Sequence, residues 1–278
     1  MIRRKHVNFY KLLSLPKVYK KSPNNIWTSK ELSNLVLQSY LNPDIPGGSL
    51  NENQINSNIE FIKKYIDENL YKKGLDIGCG IGNYCEKLSD LGYRMEGIDI
   101  SLTAINYAQN KKRNNINYIN KDIFKYHTKK KYDFILLLYG TYSTFDSKQR
   151  KNLLKKIKNL LNNNGKLILD VPNIRHFKRQ NELNSWDFFT NDNSYSHPPF
   201  FMLFSIKKYN NNILLNKSVY IFNNNKIKVF YEWIKNFTKK EIINELKKEG
   251  FNIKYISENI YSYDSSEISD SIHVLAQK

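Results

Sequence analysis

Cysteine is nearly absent from this sequence: Cys79 and Cys85 are the only two among 278 residues. Two thiols cannot make a disulfide framework, and no Cys/His spacing of a zinc site accompanies them, so no metal centre is expected. Long apolar runs are missing as well. The longest, FILLLY at 134–139, falls far short of the roughly 20 residues that cross a bilayer. In the N-terminal MIRRKHVNFYKLLSLPKVYK, lysines interrupt the apolar residues before a signal-peptide core is reached. These absences lead to the expectation of a cytoplasmic protein with no membrane partner.

Arginine is scarce too, supplying seven of the 44 Lys and Arg residues in a chain of formal net charge +18. Such a charge suits nucleic acid, but recognition of phosphates and bases favours arginine's planar fork over lysine. Asparagine, isoleucine and tyrosine are abundant, as codon bias in an AT-rich genome produces. Runs such as TKKKY (128–132) and NLLKKIKNLL (152–161) read as solvated faces. The charge is therefore taken first as composition, and a nucleic-acid partner is kept as the alternative.

What is present is a chain long enough for one large domain or a domain with an elaborate insertion. Helices are expected over 28–41, with Thr28 or Ser29 as cap and Glu31 in the first turn, and over 51–70, where Ile55, Ile59, Ile62 and Ile66 recur at helical spacing. Strand-like segments follow at Gly74–Ile77, Arg94–Ile98, Ile116–Ile119, Tyr132–Leu138 and Lys166–Val171, separated by helices near 83–91, 102–113 and 147–162. Short apolar strands alternating with helices predict a doubly wound α/β sheet. Residues 173–195 show no clear period. Three strand-like runs at 200–209, 213–222 and 226–234, joined by asparagine turns, predict an antiparallel β insertion. The alternation then resumes with helix 238–250 and strands 251–256 and 271–277.

In an open α/β sheet, ligands sit beyond the carboxyl ends of the strands, where the first turn is glycine-rich. Here that turn is GLDIGCGIGN at 74–83, carrying Asp76, Gly78, Cys79, Gly80 and Gly82. The next strand ends EGIDIS, which places Asp99 and Ile100 at its tip, and the third runs into NKDIF with Asp122 and Ile123. Glycine turn, acid and acid on successive strand ends suit a cofactor with an adenosine at one end, since a carboxylate can accept both ribose hydroxyls. A nicotinamide dinucleotide fits poorly. Asn83 stands where its fingerprint has glycine or alanine, and no second mononucleotide-binding half follows.

LDIGCGIGNY, GIDIS, NKDIF and YDFILLLYGTYS resemble the successive cofactor motifs of class I S-adenosylmethionine-dependent methyltransferases. The resemblance covers 70–172 and resumes at 238–278, and flanking regions are similar to bacterial small-molecule-type members. It implies a Rossmann-like seven-stranded sheet whose last strand is antiparallel, with S-adenosyl-L-methionine as cofactor and S-adenosyl-L-homocysteine as product. It also implies roles: Asp76 and the backbone of Gly78–Gly82 for the methionine end, Asp99 for the ribose, Asp122 with Ile123 for the adenine, and Leu138 with Tyr139 near the sulfonium. The expected organisation is an N-terminal helical lid (1–69), a cofactor-binding core (70–172 and 238–278) and a β-rich substrate cap (173–237).

Methyl transfer from a sulfonium is a direct displacement whose leaving group is already activated. The protein has to align the partners and exclude water, with a general base needed only for a protonated nucleophile. Tyr139 and Tyr142 follow the central strand, where an aromatic face stabilises a cation; packing is the alternative role. Trp186, Tyr195, Tyr231 and Trp233 in the insertion are candidate acceptor contacts on the same terms, and His176 and His197 are candidate bases. SHPPF at 196–200 resembles the Pro-Pro motif of base and glutamine amino-methyltransferases, but those enzymes carry it directly after the fourth strand, where this chain has LLYGTY. The expected acceptor is a small molecule, with an RNA-modifying methyltransferase as the alternative.

Overall fold

The computed structural model describes residues 9–42, 45, 47–111, 113–190, 199–260 and 269–278. Two sheets carry the fold. The larger takes its parallel strands from β1 (Lys73–Ile77), β2 (Arg94–Asp99), β3 (Ile116–Asn120), β4 (Tyr132–Leu137) and β5 (Leu161–Pro172). The later strands β10 (Asn252–Ser257) and β11 (Ser271–Gln277) complete it. Its order is β10-β11-β5-β4-β1-β2-β3, and β11 is antiparallel to both neighbours. The order reverses between β1 and β4, which opens a crevice at their carboxyl ends.

Helices cover both faces. On one lie α3 (Glu52–Tyr65), α4 (Asn83–Asp90) and α5 (Leu102–Asn110), whose Ile59, Ile62, Leu88 and Ile105 pack with Met95, Phe134 and Leu136 of the sheet. On the other, α6 (Ser147–Leu160) and α8 (Lys239–Lys248) bring Leu153, Leu154, Ile157, Ile242 and Leu246 against Leu75, Ile135 and Leu169. Burial on both faces explains the nearly unbroken apolar run of β4. Short helices α1 (Phe9–Leu13), α2 (Ser33–Leu41) and α7 (Ile174–Arg179) lie outside this pattern. Helix ends fall one to five residues inside the expected ranges, the largest difference being at α3, which stops at Tyr65 while buried Ile66 serves as its C-cap.

The region expected to be one helix from residue 28 is two single 3-10 turns, 26–28 and 30–32, before α2 starts at Ser33. The cause is tertiary. Glu31, expected as a first-turn acid, pairs with Lys226 and Lys228 of the second sheet, whose ammonium groups hold its carboxyl down at about 2. Ser29 accepts from Lys228 Nζ (2.9 Å) instead of capping a helix.

The second sheet has four antiparallel strands, not three: β6 (Leu183–Phe189), β7 (Phe200–Tyr209), β8 (Ile213–Phe222) and β9 (Ile227–Lys235). The additional strand, β6, lies in the stretch without periodicity because it is an edge strand exposed along almost its whole length. The N-terminal segment straps this sheet around its other edge. Val229 N–H donates to Asn24 Oδ1 (2.9 Å), Asn24 N–H to Val229 O (3.2 Å) and Tyr231 N–H to Ser22 Oγ (2.9 Å). On one face Trp233 Nε1 donates to Lys20 O (3.0 Å). On the opposite face Phe200, Tyr220, Phe222 and Phe230 pack on Leu32 and Ile26.

An ion pair between the buried Arg150 and the partly exposed Glu245 locks α6 to α8. Arg150 donates from Nε and Nη2 to both oxygens of Glu245 (2.9 and 2.7 Å) and from Nη1 to Phe145 O (2.7 Å). The Tyr142 hydroxyl donates to the same Glu245 (2.7 Å). Glu245→Ala leaves that guanidinium without its counter-charge and is expected to lower the unfolding free energy by about 3 kcal/mol. Tyr142→Phe, which removes one neutral donor, should cost about 1 kcal/mol. Urea unfolding curves measure both, and a smaller loss for Glu245→Ala than for Tyr142→Phe would refute this ranking.

Candidate active site

The crevice begins at the turn after β1. Gly78 N–H and Cys79 N–H both donate to Ile98 O (2.8 and 3.2 Å), which bends the chain back over the tip of β2. Gly82 then caps α4 at φ 88°, where a Cβ would stand 2.1 Å from the Tyr118 hydroxyl, so both conformation and space demand glycine. At Gly80 the neighbour is the ring of Tyr40, at 2.5 Å from an added Cβ.

Two carboxylates flank this turn. Asp99 accepts from Gly80 N–H (3.0 Å) and Ser101 N–H (2.7 Å), while Asp76 accepts the Cys85 thiol at 3.8 Å. They are 8% and 2% exposed. Among the described residues no Lys or Arg meets either one. Burial, then the charge of Asp99, pushes the Asp76 carboxyl up to about 7, opposed by the Cys85 thiol. Burial raises Asp99 also, opposed by backbone donors at Ser101, Gly80 and Ile100. Burial and the adjacent Cys85 hold the Cys79 thiol well above its usual value, which suits a packing group and not a nucleophile.

At the third strand end, Asp122 Oδ1 accepts from Phe124 N–H (2.9 Å) and so caps the turn 123–125, whose Ile123 is buried in the core. After β4, Leu138 is buried while Tyr139 is 40% exposed. Tyr139 and Gly140 both take positive φ (57° and 65°), and Gly140 N–H donates to Asp170 Oδ1 (2.8 Å) at the end of β5. Burial pushes Asp170 up to about 7 and pushes its neighbour His273, 3.9 Å away, down to about 3. His273 is therefore a neutral core imidazole.

The double left-handed step leads into the 3-10 turn 141–144, whose Thr141 stays against Gly78 of the glycine turn. Tyr142, expected beside Tyr139, is thereby placed in the core between Phe237 and Arg150. The candidates of the insertion also separate. His176 Nδ1 is engaged with Asn236 Oδ1 (2.7 Å), a partner that anchors α7. Trp186, 69% exposed, stacks on Phe201, and Tyr231 and Trp233 share that face of the second sheet with the N-terminal strap. This is the face opposite to the one packed on Leu32, so these three rings are turned away from α2. Tyr195 and His197 lie outside the described residues.

Two residues bordering the crevice escaped the sequence reading. Tyr40, in the last turn of α2, lies against Gly80 and packs on Trp27 at 5.7 Å between ring centroids. Burial raises its phenol, with further contributions from Asp99, Cys79 and Tyr139, so one ring joins glycine turn, acid and β4 end. The other is Glu232, on the inward face of β9 and near enough to Tyr139 to raise its phenol. No local pattern marks either; both are brought in by the strap and the second sheet.

A family model described as a methyltransferase domain matches residues 50–256. No curated protein matches the chain. Among solved structures, an S-adenosylmethionine-dependent methyltransferase from Clostridium acetobutylicum is similar at 18% identity and TM-score 0.63, covering 87% of this chain and 96% of its own. The CcbJ methyltransferase from Streptomyces caelestis is similar at 14% identity and TM-score 0.63, covering 89% and 98%. An S-adenosylmethionine-bound amino pentose methyltransferase from Micromonospora echinaspora is similar at 12% identity and TM-score 0.53, covering 81% and 89%. These likenesses are likenesses of fold.

Burial of Asp76 has a measurable signature. A carboxyl raised to about 7 in the folded chain contributes stability below its unfolded value that is lost as pH rises through 7. Asp76→Asn removes this dependence. In thermal unfolding without ligand, the variant should melt at or above the wild type at pH 8 by a few degrees, with the difference shrinking towards pH 5. A difference that stays constant from pH 8 to pH 5 would show that Asp76 is ionised throughout that range.

Proposed function

The chain belongs to this methyltransferase-domain family, and on that premise we propose that it transfers the methyl group of S-adenosylmethionine to a small-molecule acceptor enclosed between the core sheet and the second sheet. The observation that carries the reading is the pair of buried carboxylates, Asp76 and Asp99, that flank a glycine turn at the sheet's switch point and meet no Lys or Arg among the described residues. A ligand bearing an ammonium, a sulfonium and two ribose hydroxyls supplies the positive charge and hydrogen-bond donors that these acids lack. The residues present therefore fit this cofactor.

When bound, S-adenosylmethionine supplies a methyl group already activated on sulfur. The chain's own residues bind, orient and exclude water. The backbone around Gly78–Gly82 with Asp76 holds the amino-acid end, Asp99 with Ile100 the ribose, and Asp122 with Ile123 the adenine edge. Leu138 and Tyr139 line the reacting centre, where the tyrosine face favours positive charge by roughly 0.5–2 kcal/mol. The N-terminal segment acts as the lid, with Tyr40 covering the glycine turn, and β6–β9 form the cap over the acceptor. A small acceptor is supported by the Micromonospora echinaspora protein, described as an amino pentose methyltransferase.

Calorimetric titration with S-adenosylmethionine tests the cofactor site. Asp99→Ala should weaken binding at least about tenfold, the loss of roughly 1.4 kcal/mol. Unchanged affinity would remove Asp99 from the ribose role. Transfer of labelled methyl into fractionated cell extract tests the acceptor class. Label should enter small metabolites with little dependence on salt. Label that enters RNA and is lost at high salt would overturn the small-molecule reading, because phosphate contacts weaken steeply as salt rises.

A further inference from the structure

The acceptor side of the cleft has a chemistry of its own. Register and alternation assign one face of the second sheet. Phe200 and Met202 of β7, Phe222 and Tyr220 of β8 and Phe230 of β9 share the face that packs on Leu32. Continuing along β8 and β9, the same face presents Ser218, Asn216 and Glu232 before Leu214 and Ile234. Just beyond β9 the chain docks on the core, where Phe237 N–H donates to Pro172 O (2.8 Å) and its ring meets Tyr142. The polar stretch thus lies between the lid contact and the β4 end.

Glu232 is the only acid that β7, β8 and β9 place on this face. Asn216 Nδ2 donates to its Oε2 (2.9 Å), which orients the carboxylate and leaves Oε1 open. Among the described residues no Lys or Arg pairs with it, in a chain with 44 such side chains. β9 packs against the 141–144 turn that directly follows Tyr139 and Gly140, and burial first, then Glu232 and Asp170, push the Tyr139 phenol up, against a backbone hydrogen bond from Gly47. A half-exposed aromatic ring at the β4 end and an oriented carboxylate on the strand packed against the turn that follows it have the composition of a site for an organic cation.

Resting on the reading that this cleft receives the acceptor, we propose that Glu232 selects acceptors bearing a protonated amine, which its carboxylate holds beside the Tyr139 ring. A hydroxyl-only acceptor of the same shape would cover that carboxylate without supplying a counter-charge, so the residue discriminates by rejection as well as by attraction.

The test uses benzylammonium and its neutral counterpart benzyl alcohol as probes, titrated into the full chain and followed by ligand-observed NMR without cofactor. The ammonium should bind at least about tenfold more tightly than the alcohol, and Glu232→Gln, which keeps an oxygen for Asn216, should erase the preference. Glu232→Asp, which keeps the charge, should retain part of it. Equal affinities in the wild type, or a preference that survives Glu232→Gln, overturns the proposal. S-adenosylmethionine titrated into the same samples separates the two readings: wild type that prefers the ammonium but binds no S-adenosylmethionine fails the cofactor reading alone. Wild type and Glu232→Gln that bind it equally, with no preference between probes, fail only this inference.

Discussion

Two buried carboxylates that no Lys or Arg among the described residues meets are the constraint around which this molecule is arranged. Acids at the tips of neighbouring parallel strands are costly to bury, and here one of them, Asp99, accepts from two backbone N–H groups, that of Gly80 in the left-handed glycine turn and that of Ser101. Among the described residues, Asp76 accepts from the Cys85 thiol. The imbalance leaves Asp76 poised near neutrality and makes the crevice receptive to a positively charged ligand. Charge on the surface is of the opposite sign, so the site is a local inversion within a strongly basic chain.

The rest of the structure is tied to the core around that crevice. The N-terminal segment runs around one edge of the second sheet, with residues 20–24 against β9 and Ile26 and Leu32 on the inward face. Its continuation delivers Tyr40 to the glycine turn. The second sheet is in turn fixed to the core through Phe237 and the segment that follows β4. The N-terminal segment, the second sheet and the core are therefore one connected assembly.

The central sheet was legible in the sequence because its determinants are local. Apolar runs, a glycine turn and acids at strand tips need only a few consecutive residues to be recognised, and β1 to β4 fall within a residue of expectation at each end. β5 begins five residues early because the NNNG stretch after α6 joins the strand. What was not legible is tertiary. Residues 28–32 carry good helix-start chemistry, yet Lys226 and Lys228 draw Glu31 away from that role. Tyr142 occupies a motif position, but two successive positive φ values turn it into the core. Tyr231 and Trp233 point towards the strap, whereas Glu232 between them points inward; a strand's alternation is visible in sequence, but which face matters is not.

The strap also sets a schedule for assembly. Asn24 and Val229, which exchange hydrogen bonds, are 205 residues apart, and the buried Lys217 ammonium is satisfied by the carbonyls of Leu12 and Ser14. Contacts of such separation form late, since the loop they close must first be ordered by other interactions. During synthesis the glycine turn and β1–β4 can associate while most of the second sheet is still to be made. The docking of the N-terminal segment has to wait for β9. A chain stalled before β9 would thus leave that segment without a docking partner.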